Sequence, residues 1–211
     1  MLSESLYRWI LLVVVVVGLT ISIYFRRKAD RAGGSVNCRG DAGWIRLLLM
    51  VSGVTGFAGL LLFLINPAWM GWSQIGLPDW VRLPGGALGL IAVAFFFWVF
   101  RCLGDNVTPT AQTRINHTLV TGGPYRWVRH PMYSSGLLLF AGYVLLTDSW
   151  FILLTCGVAL GVLIVRTSRE EANLTQRFGD EYREYARETG RFVPRFSRRR
   201  LTGLPAERVT E

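Results

Sequence analysis

Lysine is almost absent from this chain: Lys28 is the only one among 23 basic residues. Acidic residues number 14, which leaves a net charge of +9. Histidine occurs twice, at His117 and His130, and cysteine three times, at Cys38, Cys102 and Cys156. The cysteines are widely spaced, so they draw neither a disulfide framework nor a CxxC metal site. Two histidines without acidic or cysteine residues at ligand spacing give zinc no foothold, and no metal is assigned. Ser134 and Ser135 have no nucleophile-elbow context and no carboxylate partner, which argues against a serine hydrolase. No internal repeat is present, whereas a transporter would ordinarily show matching halves or broken helices. The preference for arginine over lysine fits a high-GC bacterial coding bias and carries no functional meaning.

What the chain does have is apolar sequence in long blocks, with a mean hydropathy of +0.35. Blocks of about 18 or more apolar residues are long enough to cross a bilayer as helix. Lipid-facing backbone must satisfy its own polar groups, so the fold class expected is all-α, a polytopic membrane protein. The first span is about Leu6 to Phe25. Its basic cluster, Arg26, Arg27, Lys28 and Arg31, follows the apolar core instead of preceding it, which favours a retained anchor over a signal peptide. The second span is about Trp44 to Ile65, ended by Asn66-Pro67. Residues 68–83 hold Trp69, Trp72 and Trp80 and read as an interfacial loop. The third span runs from about Gly85 to Leu103. Residues 132–165 are apolar except at Thr147-Asp148-Ser149, which predicts a helical hairpin with two short arms and about five spans in all.

Charge asymmetry orients these spans. With the N-terminus outside, segments 26–43, 101–130 and 166–211 face the cytosol and hold 20 of the 23 basic residues. The C-terminus then lies in the cytosol. The same asymmetry accounts for most of the net charge, and no nucleic-acid-binding motif accompanies it, so no nucleic-acid partner is expected. Leu174, Phe178, Tyr182 and Tyr185 recur at helical spacing among charged residues, predicting a cytosolic amphipathic helix with a kink at Gly179-Asp180. The mixed aromatic and arginine end, Phe192 to Arg200, suits an anionic leaflet. Three parts follow: three N-terminal spans over 1–103, a core over 104–200, and a disordered tail over 201–211.

Both histidines fall in the polar stretch His117 to Tyr133. Gly122-Gly123-Pro124 marks a turn that lets backbone approach a ligand, although most such triplets are only turns. Pro131 opens the apolar helix that follows, which puts His130 at its N-cap and Tyr133 one turn in. His130 could be simply a hydrogen-bonded cap or a ligand contact, and position alone leaves both open. Arg166 and Glu170 stand four residues apart at the end of the last apolar segment and share a helix face. They read either as a surface ion pair of little worth or as one wall of a pocket, since a membrane-embedded arginine is a functional candidate by default. Glu170 and its neighbour Glu171 point about 100° apart, so they cannot share a task by facing the same way.

His117-Thr118-Leu119-Val120, Gly123-Pro124-Tyr125 and Arg129-His130-Pro131-Met132-Tyr133 resemble the signature of the isoprenylcysteine carboxyl methyltransferases and their prokaryotic relatives. Glu170-Glu171, Phe178-Gly179-Asp180-Glu181-Tyr182, Glu184-Tyr185 and Val193-Pro194 resemble that family's C-terminal block. The resemblance covers about residues 104–196. Phospholipid methyltransferases share a similar His-Pro and paired-glutamate arrangement. Two departures stand out: the glycine of Ser134-Ser135-Gly136 falls one residue late, and the link Thr189 to Val193 is slightly long, which leaves Arg191 and Arg195 without an assigned role.

The resemblance implies S-adenosyl-L-methionine as methyl donor, held on the cytosolic side. It would be contacted by His117, Thr118, Leu119, Val120, Tyr125, His130, Pro131, Met132, Tyr133 and Glu170, the last facing the donor's ammonium. It also implies that Arg166 meets the methyl acceptor, a lipophilic small molecule or lipid. Membrane lipids would be the remaining partners. A guanidinium can hold a carboxylate by two parallel bonds, and it would suit an amine acceptor poorly. The acceptor expected is therefore an isoprenylcysteine-like carboxylate or another small apolar anion. A phospholipid amine N-methyltransferase is the alternative within enzymes. A non-catalytic membrane binding or assembly protein is the alternative outside them.

Overall fold

The computed structural model describes residues 4–31, 42–104 and 119–195. His117, Thr118 and the 201–211 tail expected to be disordered lie outside the described residues. The helices are α1 (Glu4–Arg31), α2 (Gly43–Ile65), α3 (Asp79–Leu103), α4 (Pro131–Thr147), α5 (Trp150–Phe178) and α6 (Asp180–Glu188), with 3-10 turns at Pro67–Ser73 and Gly123–Arg126. Among the described residues no strand occurs beyond two isolated bridges. The apolar blocks become helices because only helix closes the backbone hydrogen bonds of a single lipid-facing segment. Four of them, α1, α2, α3 and α5, are long and apolar enough to cross a membrane, and α4 is shorter at 17 residues. The chain is an integral membrane protein of α-helical fold.

Two boundaries differ from the sequence expectation. Helix α3 begins at Asp79, not at Gly85, so Trp80 and Arg82 belong to it and Pro84 lies inside it. Bonds from neighbouring segments hold this first stretch. Arg82 is 6% exposed. Its guanidinium donates to both carboxylate oxygens of Glu4 at 2.6 and 3.0 Å and to the Leu146 carbonyl at 3.0 Å. It also lies 4.0 Å over the Tyr7 ring, and the Tyr7 hydroxyl donates to Asp79 at 2.9 Å. The second difference is α5. It does not stop where the apolar run ends near residue 165 but continues unbroken to Phe178. At 1.5 Å per residue, it is about 43 Å long, so its last turns extend past its apolar part.

Helices α3 and α4 lie alongside each other through small residues. A Cβ on Gly85 would sit 2.6 Å from the Leu145 Cβ and 3.1 Å from the Gly142 carbonyl oxygen. One on Gly142 would sit 3.0 Å from both the Gly85 oxygen and the Gly89 nitrogen. Gly85 and Gly89 form a small-xxx-small face, which lets backbones approach closely. Gly142→Val should therefore destabilise the bundle by about 1–3 kcal/mol, the usual cost of overpacking, lowering the thermal midpoint in detergent. Gly157→Val, where a Cβ meets nothing within 4 Å, should leave it nearly unchanged. Equal midpoints for the two variants would contradict this packing.

The hairpin between α4 and α5 turns at Asp148, which adopts φ 51. Its carboxylate accepts from the Leu77 amide at 2.9 Å, and Ser149 caps α5 by accepting from the Ile152 amide at 3.3 Å. The Ser149 and Ser73 hydroxyls meet at 2.8 Å. This end of the bundle is thus tied by polar bonds around an apolar core of Tyr7, Leu11, Phe63, Leu146 and Ile152. At the opposite end Phe25 stacks on Phe100 at 5.4 Å, and Met132 packs against them. The beginning of α4 is thereby fixed beside the end of α3.

Candidate active site

The site grows from the start of α4 and the polar end of α5. His130 occupies the N-cap of α4, but its side chain makes no capping bond. The ring instead places Nε2 3.2 Å from Glu171 Oε1 and stacks on the Tyr133 ring at 5.6 Å. The hydrogen-bonded-cap reading of the ring is therefore set aside. Tyr133 donates its hydroxyl to Glu170 Oε2 at 2.8 Å. The adjacent glutamates divide as their angular separation requires: Glu170 takes Tyr133, and Glu171 takes His130.

Glu171 gathers more than the histidine. Arg129 Nε donates to its Oε1 at 3.0 Å, and Arg191 Nη2 lies 3.1 Å from its Oε2. Arg129 also donates to the carbonyls of Ala186 at 2.6 Å and Thr189 at 2.5 Å. These are the orphan carbonyls at the end of α6, where a cation is favoured. Residues 190–195 then lie back along the loop before α4. The Arg129 amide donates to the Gly190 carbonyl at 2.8 Å, the His130 amide to that of Arg191 at 3.1 Å, and the Gly190 amide to that of Trp127 at 3.0 Å. Ser134 Oγ donates to the Phe192 carbonyl at 2.6 Å. Helix α6 reaches this position because Gly179, at φ 57, turns the chain after Phe178. Arg191 also donates to Ser168 at 3.0 Å, which gives it a definite place that the sequence left open.

The turn before α4 forms a 3-10 helix, Gly123–Arg126. Gly123 needs to be glycine twice over: its φ is 57, and a Cβ there would overlap Cys102 Sγ. Tyr125 is buried, and its carbonyl accepts from Tyr185 at 2.7 Å. Burial first, then the charge of Glu170, pushes the Tyr125 phenol well above its usual range, so it stays a neutral hydroxyl. Tyr182 is 3% exposed, and its hydroxyl has no hydrogen-bond partner among the described residues. Its phenol is likewise raised by burial and then by the charge of Glu171. A buried hydroxyl left unsatisfied costs about 1–3 kcal/mol, so a polar group arriving beside the glutamates would be welcome there.

Tyr125, His130, Tyr133 and Glu170 are thus brought together. Arg166 is 9% exposed and lies one turn before Glu170 on α5. Pro131 is buried at the helix start. Met132 packs its side chain into the α1–α3 cluster. Leu119 and Val120 are half-buried in irregular chain leading to the turn. The residue that sequence reasoning missed is Glu171. Its partners lie 42, 41 and 20 positions away along the chain, at Arg129, His130 and Arg191. The available signal was the doubled glutamate itself, whose second member had to face a different partner.

Together, fold and site define a helical membrane protein with a polar site at one end of its bundle. Residues 80–181 match the model of the phospholipid methyltransferase family. The chain is 31% identical over 150 residues to protein-S-isoprenylcysteine O-methyltransferase of Homo sapiens, covering 64% of this chain and 44% of that protein. It is 36% identical over 145 residues to methanethiol S-methyltransferase of Mycobacterium tuberculosis, covering 58% and 56%. It is also 37% identical over 84 residues to the cobalt-zinc-cadmium resistance protein CzcN of Cupriavidus metallidurans, covering 40% and 39%. The solved structure of the eukaryotic intramembrane Ras methyltransferase ICMT aligns with a TM-score of 0.47 at 21% identity, over 75% of this chain and 54% of that one. The chain spans about half the length of the curated relatives it matches. Over residues 80–181 the chain is thus similar to the phospholipid methyltransferase family, and over part of their length to curated isoprenylcysteine methyltransferases.

Proposed function

We propose that this chain is an integral membrane methyltransferase that takes S-adenosyl-L-methionine as donor and methylates a lipophilic, anionic acceptor. The observation that carries the proposal is the joining of the α4 start to the polar end of α5. Tyr133 binds Glu170 there, with buried Tyr125 and Arg166 close by in the chain's folded order. The residues fit the donor's chemistry. Glu170 is a half-buried carboxylate for an ammonium, Tyr125 and Tyr182 are neutral buried phenols, and the Gly122-Gly123 turn offers backbone close to the site. His117, Thr118, Leu119, Val120, His130, Pro131, Met132 and Tyr133 complete the proposed cofactor surface. The methyltransferase core would be residues 104–200, and basic-residue asymmetry supports a site on the cytosolic face of a bacterial plasma membrane.

When bound, the donor supplies a methyl group on a positively charged sulfur. The protein's share is positioning, which can contribute a large part of the rate in a displacement. Arg166 is proposed to hold the acceptor's carboxylate by two charge-assisted bonds. An anionic oxygen needs no proton removed before it forms the new bond to carbon. Held against Glu170 and Tyr133, the donor would supply the methyl carbon, and the electron pair of its carbon–sulfur bond would remain on sulfur. Charge is lost from both reactants, so a site sheltered from water does not oppose the step.

Calorimetry with purified protein in detergent tests the donor assignment. Wild type should bind S-adenosylmethionine, and Glu170→Ala should reduce affinity by about tenfold or more, the worth of a hydrogen bond to a charged group. No binding by wild type would leave a non-catalytic membrane protein as the better reading. Equal binding by the variant would remove Glu170 from the site. Mass spectrometry of lipid extracts incubated with labelled donor names the acceptor, and label on a phospholipid amine would favour N-methylation instead.

A further inference from the structure

We infer that Glu171 is a positioning residue for the donor site. By this inference it fixes the His130 ring and fastens residues 190–193 against the loop that precedes α4. The inference rests on the proposed function, because it takes His130 and Tyr133 to face the donor.

Glu171 is only 23% exposed at its side chain, yet it faces Arg129, His130 and Arg191 at 3.0, 3.2 and 3.1 Å. A lone surface pair would be worth little, but here one carboxylate joins three separate pieces of chain. Arg129 carries the joint onward to the end of α6. Arg191 carries it to Ser168 and to the 190–195 segment. His130 carries it to the stacked Tyr133 ring, whose hydroxyl holds Glu170. Each of these three side-chain contacts of Glu171 therefore bears on a residue next to the proposed donor surface, while Glu170 keeps the direct role.

The histidine contact has a chemical consequence. A carboxylate only accepts hydrogen bonds, so His130 must carry hydrogen on Nε2. In the neutral ring this leaves Nδ1 as an acceptor. Glu171 thus selects the tautomer as well as the orientation of a side chain in the site. In metal-ligating histidines, loss of such an outer partner commonly weakens metal binding about 10–100-fold, which shows how much an orienting carboxylate can contribute.

The scarcity of histidine makes this testable. Protein labelled with 15N-histidine has two imidazoles, His117 and His130. At a pH where the rings are neutral, one should show the pure Nε2–H form in wild type. Glu171→Ala should move that signal to a tautomer mixture and weaken S-adenosylmethionine binding by about tenfold. Arg191→Ala keeps the Glu171–His130 contact. It should keep the tautomer and lose donor affinity by a smaller factor, which protects the test if Glu171→Ala folds poorly. Unchanged donor affinity in both variants, alongside binding by wild type, would overturn the inference. A tautomer unmoved by Glu171→Ala would also overturn it. Failure of wild type to bind donor would instead overturn the function on which the inference rests, and the NMR signal would distinguish the two failures.

Discussion

Arg166→Ala should leave S-adenosylmethionine affinity within about twofold of wild type and cut methyl transfer by about 100-fold, the loss expected when a paired charge is removed from a sheltered site. Arg166 lies at the end of the apolar part of α5, 9% exposed, one turn from Glu170. A guanidinium buried at a membrane helix end is expensive unless it does something there. Arg166→Lys separates charge from geometry. Lysine keeps the charge but loses the planar fork, so it should restore only part of the rate. Transfer of labelled methyl to the acceptor, with donor affinity measured on the same preparations, checks both. If Arg166→Ala loses donor affinity as severely as rate, the arginine belongs to the donor site instead.

The second large effect is expected from a single methyl group on the C-terminal strap. Gly190 takes part in the parallel bridge with Val128. A Cβ there would overlap the Val193 carbonyl oxygen and lie 3.3 Å from the Arg195 amide. Those are backbone atoms and cannot swing aside as a side-chain end could. Gly190→Ala should therefore separate residues 190–195 from the 127–130 loop and cost about 3 kcal/mol, the upper end for overpacking. Limited proteolysis should cut the variant near residue 193 while wild type resists, and donor affinity should fall in parallel. A variant as resistant as wild type would show that the strap tolerates a side chain.

Most of the fold could be read from the sequence because hydropathy reports burial in lipid directly. The turns at Asp148 and Gly179 were also legible, each marked by residues suited to left-handed backbone. The start of α3 was not, because Pro84 signals a boundary, whereas the bonds that hold the preceding turn come from Glu4 and Leu146. Nor was the close approach of α3 and α4 drawn from Gly85 and Gly89, although their spacing was on view. In the site, local signals placed His130 at a helix start but not its ring, whose partner Glu171 lies 41 positions on. Arg191 remained without a role for the same reason. A residue that works by joining distant segments leaves little trace in its own neighbourhood.

The bond between Glu4 and Arg82 bears on the order in which the protein can be made. Arg82 is too costly to bury alone, since an unpaired charge away from water carries a penalty of several kcal/mol. Its counter-ion stands 78 residues earlier, on a helix that leaves the ribosome before α3. The carbonyl of Leu146, which also receives it, emerges later. Helix α1 thus acts as a receptor already in place when α3 arrives, and α4 closes over the pair. A version of the protein in which α1 is supplied as a separate fragment should insert α3 poorly until that fragment is present.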